Sequence, residues 1–435
     1  MKQYIVIGLL AVVLGFGAYF MAEETSSTDP AGPVKTTIDT NYQLPGASVL
    51  AFGPEHVLFI GDSVGASVTA VETEATELTD PIPYNLEGFD SQLAEVLGVS
   101  ARDVLINDMK VHPVSQEVYV AVKIGHQPGA PAAIAIVNPI TTAIRFLEVT
   151  ETNSTSVTLT DPALDEPLFW NETPASALSI TDIDYNEGFI YVAGLSNSEF
   201  ASTLRKIPYP FDGTQTAINS LEIYHAVHTQ NETRAPIRTM LFDEFNGAST
   251  LLASYTCTPL VTIPTGDITE GADITGKTIA ELGYGNTPID MLMVETQGFD
   301  GSTSKSLVVL NKNRGGSMIP YESVVAGAAG PGMAGERAMF ASGLEGIQEI
   351  PTANVMHMDV QNPQMLAMIR RDIDTGGVDL VSELTGTFLR LSDFISEYDF
   401  PDYRYPEEQA GTKQYHDMVK QMEGYPNLTS EALGR

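Results

Sequence analysis

The sequence predicts an all-β chain: a β-propeller of six or seven four-stranded blades with a short C-terminal helix. Three observations carry this. Past residue 36, long runs with helical periodicity are scarce, whereas short β-branched and aromatic runs bounded by Gly, Asn, Asp and Pro recur throughout. Ile207-Pro208, Ile263-Pro264 and Ile319-Pro320 each close an apolar run, and the pairs are spaced 56 residues apart both times. Two further runs of constant character precede each pair, so the repeating unit reads as a small antiparallel sheet.

The run ahead of each Ile-Pro pair is Phe189 to Ala193, Thr250 to Ala253 and Leu307 to Leu310, with relatives at Val57 to Ile60, Val118 to Ala121 and Met365 to Met368. That makes six units. Before them lies a run that starts polar and turns apolar: Asp108 to Val111, Asp182 to Tyr185, Arg238 to Leu241, Asp290 to Met293 and His357 to Val360. Sheets that cannot bury both faces alone become stable when stacked radially, and a closed ring removes exposed strand edges. A seventh unit needs the segment near Thr37 to Leu44 beside Thr387 to Leu391, closing the ring between the two ends. Glu407 to Glu423 reads as a helix carrying Tyr415, Met418 and Met422 on one face, packed outside the ring.

The chain divides into residues 1–24, an export signal or membrane anchor; 25–36, a tether with Pro30 and Pro33; 37–394, the propeller; and 395–435, a tail with the helix. The apolar run at residues 4–22 lies behind Lys2 and ahead of Glu23-Glu24, the pattern of a segment that directs the downstream chain out of the cytoplasm. The expected location is periplasmic or extracellular, secreted or held through residues 4–22. The chain has 22 Lys plus Arg against 56 Asp plus Glu, a net charge of -34, which repels phosphate backbones and argues against nucleic acid as a partner. One Cys excludes an internal disulfide and any zinc site built on paired cysteines.

The stretches Glu199 to Arg205, Thr233 to Thr239, Tyr255 to Leu260 and Ala280 to Gly283 with Pro288 to Met291 resemble those of a family of exported bacterial β-propeller proteins with no established activity. The resemblance covers about residues 180 to 320. It implies fold and compartment and transfers no catalytic residue. More loosely, the repeat is similar to the propellers of the quinoprotein amine dehydrogenase class, at the level of fold.

In a meander whose first strand is innermost, the start of that strand and the loop joining the second strand to the third open on one face. The first-strand starts place Asp108, Asp182, Arg238, Asp290 and His357 around the channel mouth. The loops add His126, Tyr255, Cys257, Lys312 and Arg314, and the connections between units add Trp170, His225 and His228. The expected function is binding of a small polar ligand through Asp108, Asp182, Arg238, Asp290, His357, Arg314 and Trp170, or of a transition metal through His225, His228 and Cys257. Imidazole and thiolate donors point to copper, and the acidic ring points to a cation or amine. Two alternatives stand beside this: an oxidoreductase using a bound metal or a Cys-derived cofactor, and a protein-docking scaffold. No His-Glu-x-x-His occurs, so zinc-hydrolase chemistry of that kind has no local support.

Overall fold

The computed structural model describes residues 42–78, 82–127, 129–169, 172–297, 302–388, 390–400, 402–407 and 410–425. The expected export segment, the tether and Trp170 lie outside them. Among the described residues no helix is long and apolar enough to cross a membrane.

The arrangement is all-β and propeller-like. The innermost strands are Val49–Phe52, Val104–Val111, Asp182–Asn186, Ile237–Phe245, Pro288–Gln297 and Val355–Asn362. Each touches the next in a closed cycle: 49–52 against 182–186, then 237–245, 288–297, 355–362, 104–111 and back to 49–52. Four sheets are separate and four-stranded, and the fifth is ten-stranded. In that larger sheet two antiparallel meanders join through their outer strands, Ser220–Ile223 pairing in parallel with Asp273–Gly276. The joint covers two edges that would otherwise lie open.

The six apolar runs of the sequence are all second strands. Each lies between neighbouring sheets with both faces covered, which is why the runs are continuously apolar rather than alternating. Leu58, Val120, Val192, Leu252, Val308 and Met368 are fully buried, and each such side chain contributes about 1.5–3 kcal/mol by leaving water. The three Ile-Pro pairs end third strands, where proline forfeits a ladder donor only as the ladder stops.

The ring is not closed as the sequence suggested. Leu44 makes one antiparallel bridge, to Ala132, and residues 387–391 contribute no strand among the described residues. Instead Asn85–Leu86 pairs with Leu380–Val381 and completes the last sheet from early in the chain. Ser154–Thr158 then returns to pair with Ser67–Val71. A strand supplied from so far along the chain leaves no local periodicity to read.

Three helices decorate the ring: α1 (Phe89–Leu97), α2 (Tyr321–Ala329) and α3 (Ala410–Met422). The last lies within the expected span, but its packing face differs. Thr412, His416, Val419 and Glu423 turn inward, while Tyr415 and Met418 are exposed. The Glu423 carboxylate accepts the N–H groups of Leu391 and Ser392, and Arg390 donates to the Glu423 carbonyl. These polar anchors set the rotation of the helix.

Candidate functional site

The starts of the inner strands surround a cavity of about 440 Å³ at one end of the ring, and Asp108, Asp182, Arg238, Asp290 and His357 all line it. Lys123, Lys312 and Thr287 are among the other polar residues of its wall. The structure thus brings together the five residues that the sequence assigned to the first-strand starts. Register irregularities fall at Ile106/Asp108, Ile237/Thr239, Pro288/Met291 and Val355/His357. Such bulges re-aim a side chain out of the strand pleat.

Most of the carboxylates have a structural task. An inner strand pairs with its second strand along one edge, leaving N–H groups toward the neighbouring sheet that need acceptors. Asp108 accepts from Leu50 N–H at 2.6 Å, Asp182 from Met240 at 2.6 Å, Asp290 from Met358 at 2.9 Å and Asp359 from Val111 at 2.8 Å. Each bond crosses from one inner strand to the next. Where the repeat carries Arg238 instead of an aspartate, the guanidinium faces the cavity and its Nε is buried without a hydrogen-bond partner.

His357 sits between two of the aspartates, its Nδ1 3.4 Å from Asp290 Oδ2 and 3.8 Å from Asp108 Oδ1. Burial opposes charge on the imidazole, but Asp290 and Asp108 more than offset it and raise its pKa. The Asp290 carboxyl, which burial alone would push up, is held below its ordinary value by His357. Burial raises Asp108 to about 6 and lifts Asp182 well above the carboxylate range. Although donor atoms of Asp108, Asp290 and His357 lie within 4.8 Å of one another, the ion pairs and amide bonds account for their closeness.

A second polar ring lies deeper. Lys110, Asp184 and Asp359 follow Asp108, Asp182 and His357 at the i+2 position, so strand alternation turns them to the same channel. They line a larger cavity, about 740 Å³, toward the opposite end. Burial acts against the Lys110 charge, yet Asp359, Asp108, Asp290 and Asp182 hold its pKa above the usual lysine value. Burial raises Asp184 to about 6 and also raises Asp359. Sequence reasoning missed this ring, although alternation within three of the runs it had identified was the available signal. The channel aspartates are thus balanced by Lys110 in the deeper ring and by His357, Arg238, Lys123 and Lys312 at the mouth.

His225, His228 and Cys257 also come together, but apart from His357. His225 ends the outer strand Ala217–His225, and Cys257 lies in the turn after Ala248–Tyr255. One donor atom from each lies within 4.8 Å of the others. Glu232 ties both imidazoles: its Oε2 is 2.8 Å from His225 Nδ1 and its Oε1 2.5 Å from His228 Nδ1. Burial works against the Glu232 charge, but the two histidines lower it to about 2. Glu281, from the outer strand Asp273–Gly283, places Oε2 3.9 Å from His225 Nε2. Burial raises Glu281 to about 8, against the opposing effect of the Val227 and Ala226 amides. Neither Glu232 nor Glu281 carried a signal in the sequence.

The remaining rim residues lie elsewhere. Arg314 is not among the residues lining the mouth; its guanidinium lies 4.9 Å over the Tyr284 ring, and Lys312 lines the cavity in its place. His126 Nε2 is 2.7 Å from the Arg102 carbonyl. Tyr255 is buried in the apolar core beside Ile237 and Leu251, with its hydroxyl unpartnered.

No known protein family matches the chain, and no curated protein does. Among solved structures, the putative oxidoreductase (glucose dehydrogenase) from Thermus thermophilus aligns with TM-score 0.32 and 11% identity over 78% of this chain and 96% of that one. Drosophila Semaphorin 1b, extracellular domains 1-2, gives TM-score 0.33 and 8% identity over 78% and 84%. A dihydro-heme d1 dehydrogenase gives TM-score 0.29 and 8% identity over 78% of this chain and 55% of its own. The oxidoreductase and the dehydrogenase are propeller-like folds. No function is drawn from likenesses at these scores.

Proposed function

We propose that this chain is an exported, six-bladed β-propeller, the ten-stranded sheet counting as two blades, that binds a small polar ligand at the mouth of its channel. Arg238 carries the reading. It stands where three other units place an aspartate bonded to the next strand, and its buried Nε has no partner while the side chain lines the cavity. Leaving a charged donor unsatisfied costs stability that a structural role would not require. Lys312 and Lys123 add positive charge to the same wall. Three wall aspartates already accept backbone N–H groups, so the open valences at the mouth are mainly donors. The ligand accordingly presents an anionic or acceptor group to Arg238, and its amine or hydroxyl groups face the aspartate oxygens. This revises the cation or amine preference drawn from the acidic ring.

The test is calorimetric titration of the full chain with small carboxylates, amino acids and amines, repeated on Arg238→Met. Saturable binding of an acid-bearing compound that Arg238→Met removes supports the reading. Binding of simple amines alone, or binding untouched by Arg238→Met, overturns it.

A further inference from the structure

We propose a transition-metal centre, separate from the channel mouth, with His225 Nε2, His228 Nε2, Cys257 Sγ and Glu281 as ligands and Glu232 as the carboxylate that orients both imidazoles. The donor set comes from three segments of the chain. Two histidines leave the end of one outer strand, Glu281 comes from the outer strand paired in parallel with it, and Cys257 comes from a turn of the neighbouring meander. The seam between the two joined meanders is thus where His225, His228 and Cys257 meet, with Glu281 beside His225.

Unsatisfied atoms mark the point. His225 Nε2, Glu281 Oε1 and Glu281 Oε2 are all buried without a hydrogen-bond partner, and Glu281 is fully buried. Three orphaned polar atoms beside one another are costly unless something binds them. Glu232 holds Nδ1 of both histidines, leaving Nε2 of each as the free donor, which is the carboxylate–histidine pairing that fixes ligating imidazoles. Donor atoms of a tetrahedral ion with bonds of about 2.0–2.3 Å stand roughly 3.3–3.7 Å apart. The 3.9 Å between His225 Nε2 and Glu281 Oε2 is close to this.

The turn carrying Cys257 fits the same role. Cys257 and Thr258 both adopt φ of 64°, a left-handed conformation that costs a side chain with a Cβ and that Gly or Asn ordinarily supplies. The strained turn is fixed by Cys257 N–H to the Asn286 carbonyl and Thr258 Oγ1 to the Gly283 carbonyl, both at 2.8 Å. It presents Sγ toward the histidines, with the Gly285 N–H 3.4 Å from the sulfur. On binding, the Cys257 thiol and the Glu281 carboxyl group release their protons to solvent, and the thiolate and carboxylate join two neutral imidazoles. That mixture of soft and borderline donors suits copper and zinc and disfavours magnesium or calcium, with copper the tighter by the usual divalent order.

The experiment titrates tag-free full-length protein, stripped with chelator, with Zn(II) and separately with Cu(II), under anaerobic conditions. Bound metal is counted by elemental analysis after gel filtration. One equivalent of either ion is expected, with a visible thiolate-to-copper absorption for Cu(II). His228→Ala, at a largely exposed residue that cannot unfold the ring, and Cys257→Ala each abolish the stoichiometric uptake. Glu232→Gln weakens it roughly 10- to 100-fold. Uptake equal in the wild type and Cys257→Ala, or no uptake in the wild type, overturns the centre. Undiminished affinity in Glu281→Gln overturns the four-ligand assignment. Arg238→Met, which removes the mouth ligand, leaves metal uptake unchanged, so the two proposals fail independently.

Discussion

Asp290 Oδ2 accepts the Met358 N–H at 2.9 Å and stands 3.4 Å from His357 Nδ1, so one buried carboxylate pins the neighbouring inner strand and faces the imidazole of the mouth. Both partners come from the same strand of the next sheet. The pair therefore joins ring closure to the electrostatics of the mouth.

Asp290→Ala is expected to destabilise the fold by about 3 kcal/mol, because it strands His357 and the Met358 amide together. Asp290→Asn keeps an acceptor for the amide and costs about half as much. Denaturant unfolding midpoints measure both. An Asn variant as stable as the wild type would show the ion pair to be idle.

Stability of metal-free protein is expected to fall as pH rises from about 5 to 8. Burial raises Asp184 from 3.8 to about 6 and Glu383 from 4.5 to about 7. A carboxyl group with a raised folded pKa favours folding while protonated, and that contribution disappears as pH passes the folded value. For Glu383 the loss is at most about 3 kcal/mol; Arg370 and Arg390 lower its pKa and Asp393 and Glu423 raise it. His357, also raised, acts in the same direction, whereas Asp290, lowered, matters only in more acid solution. Lys110→Met removes the cation that lowers the channel aspartates, so it should move the decline to higher pH. Thermal melts across this range decide the matter; a rising melting temperature would contradict it.

Two glycines should respond differently to alanine. A Cβ at Gly194 would lie 2.1 Å from the Ser179 carbonyl oxygen, a collision with backbone, whereas at Gly188 nothing lies within 4 Å and only the φ of 87° resists. Gly194→Ala is expected to cost about 3 kcal/mol or prevent folding, and Gly188→Ala about 1 kcal/mol. Equal costs from urea unfolding would refute the distinction.

Glu423→Ala should loosen α3 without opening the ring. The carboxylate holds two amides at Leu391 and Ser392, and removing a buried acceptor costs about 1–3 kcal/mol locally. Limited proteolysis followed by mass measurement should show faster cleavage after Phe394, with an unchanged main melting transition. Unaltered cleavage would mean that Val419 packing alone holds the helix.

The sequence by itself determined the repeat, the second strands, the ends of the third strands and the five residues of the mouth. These come from local alternation and from a period that keeps equivalent positions at equivalent places in a ring. Only the tertiary structure decided that Asn85–Leu86 completes the last sheet, that Arg314 turns to Tyr284, and that Glu281 and Glu232 join His225, His228 and Cys257. Apart from Glu232, which lies 7 residues beyond His225, those outcomes depend on pairings between segments tens to hundreds of residues apart. Such pairings are chosen by edge satisfaction and close packing over the whole ring, and no short stretch of sequence contains them.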